Sequence, residues 1–351
     1  MRAMVCHAYG PPETMRVEDV AAPVPGPRQV LVDIQAAGLN YTDVLSVTGR
    51  SQLARALPMI PGVEAAGIVR AVGAACTRIR PGQRVLGHTL NGGLAEQAVF
   101  EEHDVAEIPD DMDWQTAATF YIASMTSDYA LVERGRLQAG EILLVLGAGS
   151  GAGMAAVQIG KAIGARVVAA ASTEEKLALA KRAGADDFIL YPRGALDLSQ
   201  QKALVASLLA LAKRPPRESI GTISTVDDAA GYHVIYDAVG GSYAEPALRS
   251  LGWEGRYLSV GFSAGVPKVS LGPLLFKNAQ LLGIQPADPR TRSPGLVTGA
   301  MARLYGWFRD GKLRPWVTER YALADAPRAL ARLAAREATG RIVVLMRAEA
   351  A

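Results

Sequence analysis

ILLVLGAGSGAGMAAVQ, residues 142–158, is the stretch from which the rest of the chain is read. Five apolar residues, Ile142 to Leu146, have the length and composition of a strand buried on both faces. Small residues follow at once, and then an apolar, alanine-rich helical pattern begins. Gly147, Gly149, Gly151 and Gly153 leave backbone N–H groups bare and let a helix N-terminus approach a bulky anion, for which a pyrophosphate has the right size. Glycines after a strand also serve tight β-to-α turns that bind nothing, so the turn alone leaves both readings open.

Towards the C-terminus, strand-like segments recur at Arg166–Ala171, Phe188–Leu190, Val234–Ala238, Tyr257–Val260 and Gln280–Ile284, most separated by helical patterns. This alternation predicts an α/β fold with a doubly wound parallel sheet. A helix is predicted from Thr173 to Ala183, with Thr173 as its cap, Leu177, Leu179, Ala180 and Ala183 as its apolar face, and Gly184 as its stop. Its N-terminus faces the same edge as the glycine turn. Towards the N-terminus, residues up to about Glu107 divide into short strands punctuated by Gly and Pro: RQVLVDIQAAG, EAAGIVRAVG, GQRVLGH and AEQAVF. These predict a β-rich module. Helical patterns take over near Asp110, in DWQTAATFYIASMTSDYALVERG. After Pro286 a helical stretch, LVTGAMARLYGWFRDG, precedes WVTERYAL, APRALARLAAREAT and RIVVLM, which are placed to rejoin the first module. Gln200 to Asp228, containing Pro215 and Pro216, is less regular and reads either as an extra surface helix or as a partner-binding loop.

At 351 residues the chain fits two domains at the usual ~100–200 residues each. A net charge of +3, with no Lys/Arg block and no basic stripe interleaved with aromatics, argues against a nucleic-acid surface. Cys6 and Cys76 lie far apart without CxxC spacing, which supports neither a disulfide framework nor a cysteine zinc site. MRAMVCHAYG lacks the apolar core of a signal peptide, and the longest apolar stretches fall short of a membrane span. A cytoplasmic location, a small-molecule substrate and no membrane or nucleic-acid partner are therefore expected.

In NAD-preferring dinucleotide folds an acidic residue ends the second strand and accepts hydrogen bonds from the ribose 2′-OH. Here that strand ends Ala169, Ala170, Ala171, followed by Ser172. Without a carboxylate, a 2′-phosphate meets no repulsion, and Ser172 and Lys176 can offer a hydroxyl and a positive charge, with Tyr191 and Arg193 nearby in sequence. NADPH is the cofactor this predicts. The bland alternative makes Ser172 part of a helix cap and Lys176 a solvated surface residue.

AAGLNYTDVLSVTG, PMIPGVEAAGIVRAVG, PGQRVLGH, GGLAEQAVF, the run from SMTSDYA through the glycine turn to VVAAAS, EEKLALAKRAGAD and the terminal TGRIVV occur in this order. Together they resemble the zinc-independent quinone oxidoreductase branch, zeta-crystallin-like, of the medium-chain dehydrogenase/reductase superfamily, over nearly the whole chain. The resemblance implies a GroES-like catalytic domain from residues 1–120 and 290–351, a Rossmann NADPH-binding domain from 121–289, an active site in the cleft between them, and a homodimer joined through the Rossmann sheet edge. It also implies that Ala148, Gly149, Ser150, Gly151, Ala152 and Gly153 form the cofactor turn, and that Ser172, Lys176 and Tyr191 contact the 2′-phosphate. Thr126 matches the residue near the nicotinamide, Gly261 and Phe262 a backbone segment lining that ring, and Asn40 the active-site Asn of the branch.

Zinc alcohol dehydrogenases of the same superfamily have a Cys at the position of Asn40 and a His at that of Val63. Losing both leaves too few N or S donors for a catalytic zinc with three protein ligands, and the four-Cys structural lobe is missing after His88, so no metal is expected. Asp43 and Glu64 read as structural residues retained from the ancestral pattern.

Without a Lewis acid, the alkoxide of a simple alcohol is hard to stabilise during hydride transfer. A quinone, or the C=C bond of an α,β-unsaturated carbonyl compound such as an enone or enoyl thioester, spreads the charge over a conjugated oxygen instead. The expected activity is therefore an NADPH-dependent quinone or enone reductase, with Asn40 and Thr126 placing cofactor and acceptor. Tyr41 or a water completes protonation, unless Tyr41 merely packs. An NADPH-binding protein with little turnover and a regulatory or structural role is the alternative. Leu45, where several relatives have Tyr, and the longer loop RSQLARALPMIPG leave the shape of the acceptor pocket open.

Overall fold

The computed structural model describes residues 1–51, 55–213, 230–285 and 294–346. Part of the loop RSQLARALPMIPG, the end of the irregular 200–228 segment and position 290 lie outside the described residues. The chain divides into two compact units, one of residues 1–122 and 314–351, the other of residues 123–313.

The first unit is β-rich. Strands β1 (Arg2–Val5) and β2 (Arg16–Asp19) pair antiparallel. The main sheet is built on β3 (Gln29–Gly38), which Pro23, Pro25 and Pro27 precede and which pairs antiparallel with both β4 (Glu64–Val72) and β6 (Gln97–Glu101). The sheet continues from β4 through β5 (Arg84–His88) to β7 (Val105–Glu107). On the other side of β3 stands β15 (Arg341–Leu345), followed by β14 (Val317–Ala322), so the last strands of the chain do rejoin the first module. Antiparallel pairing of Val343 with Gly38 and Val344 with Ala37 carries the start of β15 past the end of β3. Helix α1 (Tyr41–Val47) leaves β3 there, and Met4, Val32, Ile34, Val44, Val69, Phe100 and Val344 belong to the apolar core.

The second unit contains a six-stranded, all-parallel sheet in the order β10-β9-β8-β11-β12-β13. Its strands are β8 (Ile142–Leu146), β9 (Arg166–Ala171), β10 (Asp187–Leu190), β11 (Tyr232–Asp237), β12 (Leu251–Ser259) and β13 (Gln280–Gly283). The chain reverses direction across the sheet between β8 and β11, the switch point at which open parallel sheets bind ligands. Helix α2 (Trp114–Asp128) runs into this unit and is followed by a π turn, Tyr129–Arg134. After β8 comes α3 (Gly151–Ile163), and after β9 comes α4 (Glu174–Arg182). Thr173 caps α4 as read, its hydroxyl accepting from the Lys176 N–H at 3.3 Å.

Two readings differ from this arrangement. The segment read as irregular from Gln200 begins inside a regular helix, α5 (Leu198–Leu211), whose Asp197 cap and Gln200 exchange hydrogen bonds of 2.8 and 3.0 Å in a capping box. The helix Pro294–Arg309 falls in the parallel-sheet unit, which runs to Leu313 rather than ending near 289. Arg303 on that helix holds the buried Asp128 carboxylate through two hydrogen bonds of 2.8 and 2.7 Å, fastening the helix to the end of α2.

Candidate functional site

In the parallel-sheet unit the candidate residues gather at the carboxyl ends of the strands. Gly147 turns the chain with φ +77°, a conformation that disfavours a side chain, and its N–H and that of Ala148 both donate to the Ala170 carbonyl, at 3.0 and 3.1 Å. Ser150 is the N-cap of α3, its hydroxyl accepting from the Gly153 N–H at 3.0 Å. A Cβ at Gly153 would lie 2.1 Å from the Gly147 carbonyl oxygen, so only glycine lets the first turn of α3 close on the strand end. Gly151 and Ala152 open that helix.

The first turn of α4 sits directly on this cradle. A Cβ built on Gly149 would lie 2.4 Å from Lys176 Cβ, so the missing side chain at 149 makes room for the stem of Lys176. Ala171, at the end of β9, is buried and uncharged, and Ser172 beyond it is half-buried. Tyr191 follows β10, its N–H donating to the Ala171 carbonyl at 3.0 Å. Its ring is buried, 4.8 Å from that of Tyr243 between centroids, which makes it a wall of the region as well as a candidate contact.

Two further groups here escaped the sequence reading. Ser127, beside half-buried Thr126, donates its hydroxyl to the Ala152 carbonyl at 2.9 Å and lies 3.0 Å from the Tyr236 hydroxyl, tying α2 to the first turn of α3. Asp237, at the end of β11, accepts from the N–H groups of Val239 and Gly240 at 2.7 and 2.9 Å and from the Tyr257 hydroxyl. Burial pushes its carboxyl up from the ordinary value, against those hydrogen bonds. The Asp237 carbonyl also accepts from Gly261 N–H at 3.1 Å, so one residue holds both the 238–241 turn and the Gly261–Phe262 backbone. A carboxylate closing a buried strand just before Gly240-Gly241 was the available signal.

The candidates in the β-rich unit form a buried polar cluster. Asn40 ends the turn out of β3 and is 7% exposed. Its Nδ2 donates to Glu64 Oε2 at 2.8 Å, while its Oδ1 accepts from Arg341 Nη1 at 2.9 Å. Arg341 Nη2 donates to the same Glu64 Oε2 at 2.7 Å, and Glu64 Oε1 accepts from the Ile122 N–H at 2.9 Å. Burial raises the Glu64 carboxyl, opposed first by Arg341. Asp43, fully buried, accepts from the N–H groups of Asn40 and Gly62 at 2.9 and 3.1 Å, and burial pushes its carboxyl up to about 6 against those bonds and the charge of Arg55. Tyr41 and Leu45 are half-buried on α1, and Val63 is a buried alkyl group. Among the described residues, no group of three His, Cys, Asp or Glu is placed to hold a metal ion.

Residues 26–110 match the alcohol dehydrogenase GroES-like domain and residues 151–297 the zinc-binding dehydrogenase family. A quinone oxidoreductase of Pseudomonas aeruginosa is 32% identical over 340 residues, spanning 96% of this chain and 97% of that one. The chain belongs to the quinone oxidoreductase branch of the medium-chain dehydrogenase/reductase superfamily. A mycobacterial protein solved in complex with NADPH matches this branch member with TM-score 0.85 and 30% identity, over 98% of this chain and 99% of that one. Escherichia coli quinone oxidoreductase, also solved with NADPH, matches with TM-score 0.83 and 25% identity, over 98% and 100% of the two chains. The fold and the family of oxidoreductases expected from the motifs are thus established for this chain.

Proposed function

We propose that this protein is an NADPH-dependent, zinc-independent reductase that transfers hydride to quinones or to the C=C bond of α,β-unsaturated carbonyl compounds, enoyl thioesters included. The observation that carries the reading is the seat of Lys176 on Gly149, which puts a cationic side chain beside the pyrophosphate cradle, with no carboxylate at Ala171. The NADPH complexes of the mycobacterial and Escherichia coli proteins support it.

When bound, NADPH supplies the hydride. The N–H groups of Gly151 and Ala152 at the start of α3 would hold its pyrophosphate, with Ala148 to Gly153 shaping the turn around it. Lys176 and Ser172 hold the 2′-phosphate with Tyr191 alongside, and Thr126 with the Gly261–Phe262 backbone seats the nicotinamide end. Asn40, engaged at both ends of its amide, keeps the start of α1 and Tyr41 in place for the acceptor, where Tyr41 or a water delivers the proton. A conjugated acceptor needs only such hydrogen-bond donors, because the developing charge rests on its own oxygen. The zinc-independent reading is supported by Asn40 and Val63 at the positions where zinc relatives have ligands.

The direct test follows NADPH oxidation against quinones, 2-alkenals and enoyl thioesters. Turnover of at least one class is expected, whereas tight NADPH binding with no turnover on any of them would favour a non-catalytic role. A homodimer through the edge strand β13 belongs to the same reading, since Leu271, Leu275 and Phe276 stand exposed close before that strand in the chain. Sedimentation should give twice the chain mass, and a purely monomeric species would remove that part.

A further inference from the structure

We infer that Arg341 is a positioning residue for the reaction, because it fixes the orientation of the Asn40 amide; this rests on the reading that the start of α1 serves the acceptor. Arginine offers only donors and an ionised carboxylate only acceptors. With Arg341 Nη1 on Asn40 Oδ1 at 2.9 Å and Glu64 Oε2 on Asn40 Nδ2 at 2.8 Å, only one orientation of the amide satisfies both neighbours. Turning it over would set N–H against N–H and oxygen against oxygen. The third side of the triangle, Arg341 Nη2 to Glu64 Oε2 at 2.7 Å, closes the cycle and opposes the burial that raises the Glu64 carboxyl.

The geometry departs from what an ion pair alone would adopt. The strongest Arg–carboxylate pairing is the two-pronged fork, in which two N–H groups meet two oxygens. Arg341 instead splits its fork between Glu64 and Asn40, and its Nε is buried with no hydrogen-bond partner. Glu64 spends its other oxygen on the Ile122 N–H, so the carboxylate is committed on both sides. The cluster therefore gives up part of the ion pair in exchange for its hold on the amide. That hold spans the chain: Arg341 opens β15 and Asn40 precedes α1, 301 residues apart, while the Leu39 N–H donates to the Ile342 carbonyl at 3.0 Å and registers the two segments.

The test compares wild type, Arg341→Lys, Arg341→Met and the double variant Arg341→Met/Glu64→Gln. The chain has three asparagines, Asn40, Asn91 and Asn278, so ¹⁵N-asparagine labelling gives three side-chain amide pairs, two of them internal controls. Arg341→Met should move the Asn40 pair alone and lower kcat about 10- to 100-fold, with KM for NADPH within about twofold. Arg341→Lys should recover part of kcat, since one ammonium can still donate to Oδ1. Adding Glu64→Gln to Arg341→Met removes the stranded buried charge, and should restore the melting temperature without restoring either kcat or the amide signal. Recovery of kcat together with the melting temperature would reduce Arg341 to a structural role and overturn the inference, as would an Asn40 pair unmoved in Arg341→Met. Should wild type reduce no acceptor, the proposed activity falls, and the amide spectra still decide whether Arg341 orients Asn40.

Discussion

In the parallel-sheet unit the candidate binding element is a glycine turn, residues 147–153, shaped by backbone, with the Ser150 hydroxyl on the Gly153 N–H and the Gly147 and Ala148 N–H groups on the Ala170 carbonyl. In the β-rich unit its counterpart is a buried triangle of side chains from residues 40, 64 and 341, with every strong contact inside the protein. The first takes its shape from backbone, and its cost is the restriction to glycine at Gly147 and Gly153. The second is closed, and its cost is the burial of charge. The cradle therefore tolerates no added atoms, and the triangle tolerates no lost partner.

The largest effect should come from breaking the triangle. Glu64→Ala leaves the Arg341 guanidinium buried without its counter-charge, and the loss of a buried partner costs about 3–5 kcal/mol. Urea denaturation measures it, and a loss below about 1 kcal/mol would mean that the pair is solvated or replaceable. A smaller effect should separate Asp43 from Glu64. The Asp43 carboxyl is raised from 3.8 to about 6, so the folded state binds its proton more tightly than the unfolded state does. Stability from that proton is fully present below 3.8 and is lost as pH rises through about 6. Asp43→Asn should flatten the stability curve across this window by on the order of 1–3 kcal/mol. A slope unchanged from wild type would show that Asp43 titrates normally.

How far each region could be read in sequence follows from the same contrast. Ile142–Leu146 and Arg166–Ala171 are strands with the bounds expected, because an apolar run closed by small residues carries its own limits. Thr173 likewise announces its helix within four residues. The triangle gives no such signal. Arg341, in TGRIVV, reads only as the first residue of a strand, and its partners lie 277 and 301 residues away, brought to it by the pairing of β15 with β3 and of β3 with β4. Asn40 was found by resemblance, but the engagement of both ends of its amide was not. The Asp197–Gln200 capping box is carried by two residues of its own sequence, whereas Pro215 and Pro216 further on give the whole segment an irregular texture.

The central claim is that the cradle is built for a 2′-phosphorylated dinucleotide, and the affinities of wild type and Lys176→Ala for NADPH and NADH test it most directly. Wild type should prefer NADPH, and Lys176→Ala should lose about 10- to 100-fold in NADPH affinity while NADH affinity stays unchanged, since only NADPH carries the charge that Lys176 meets. Equal affinity of wild type for the two cofactors would contradict the account.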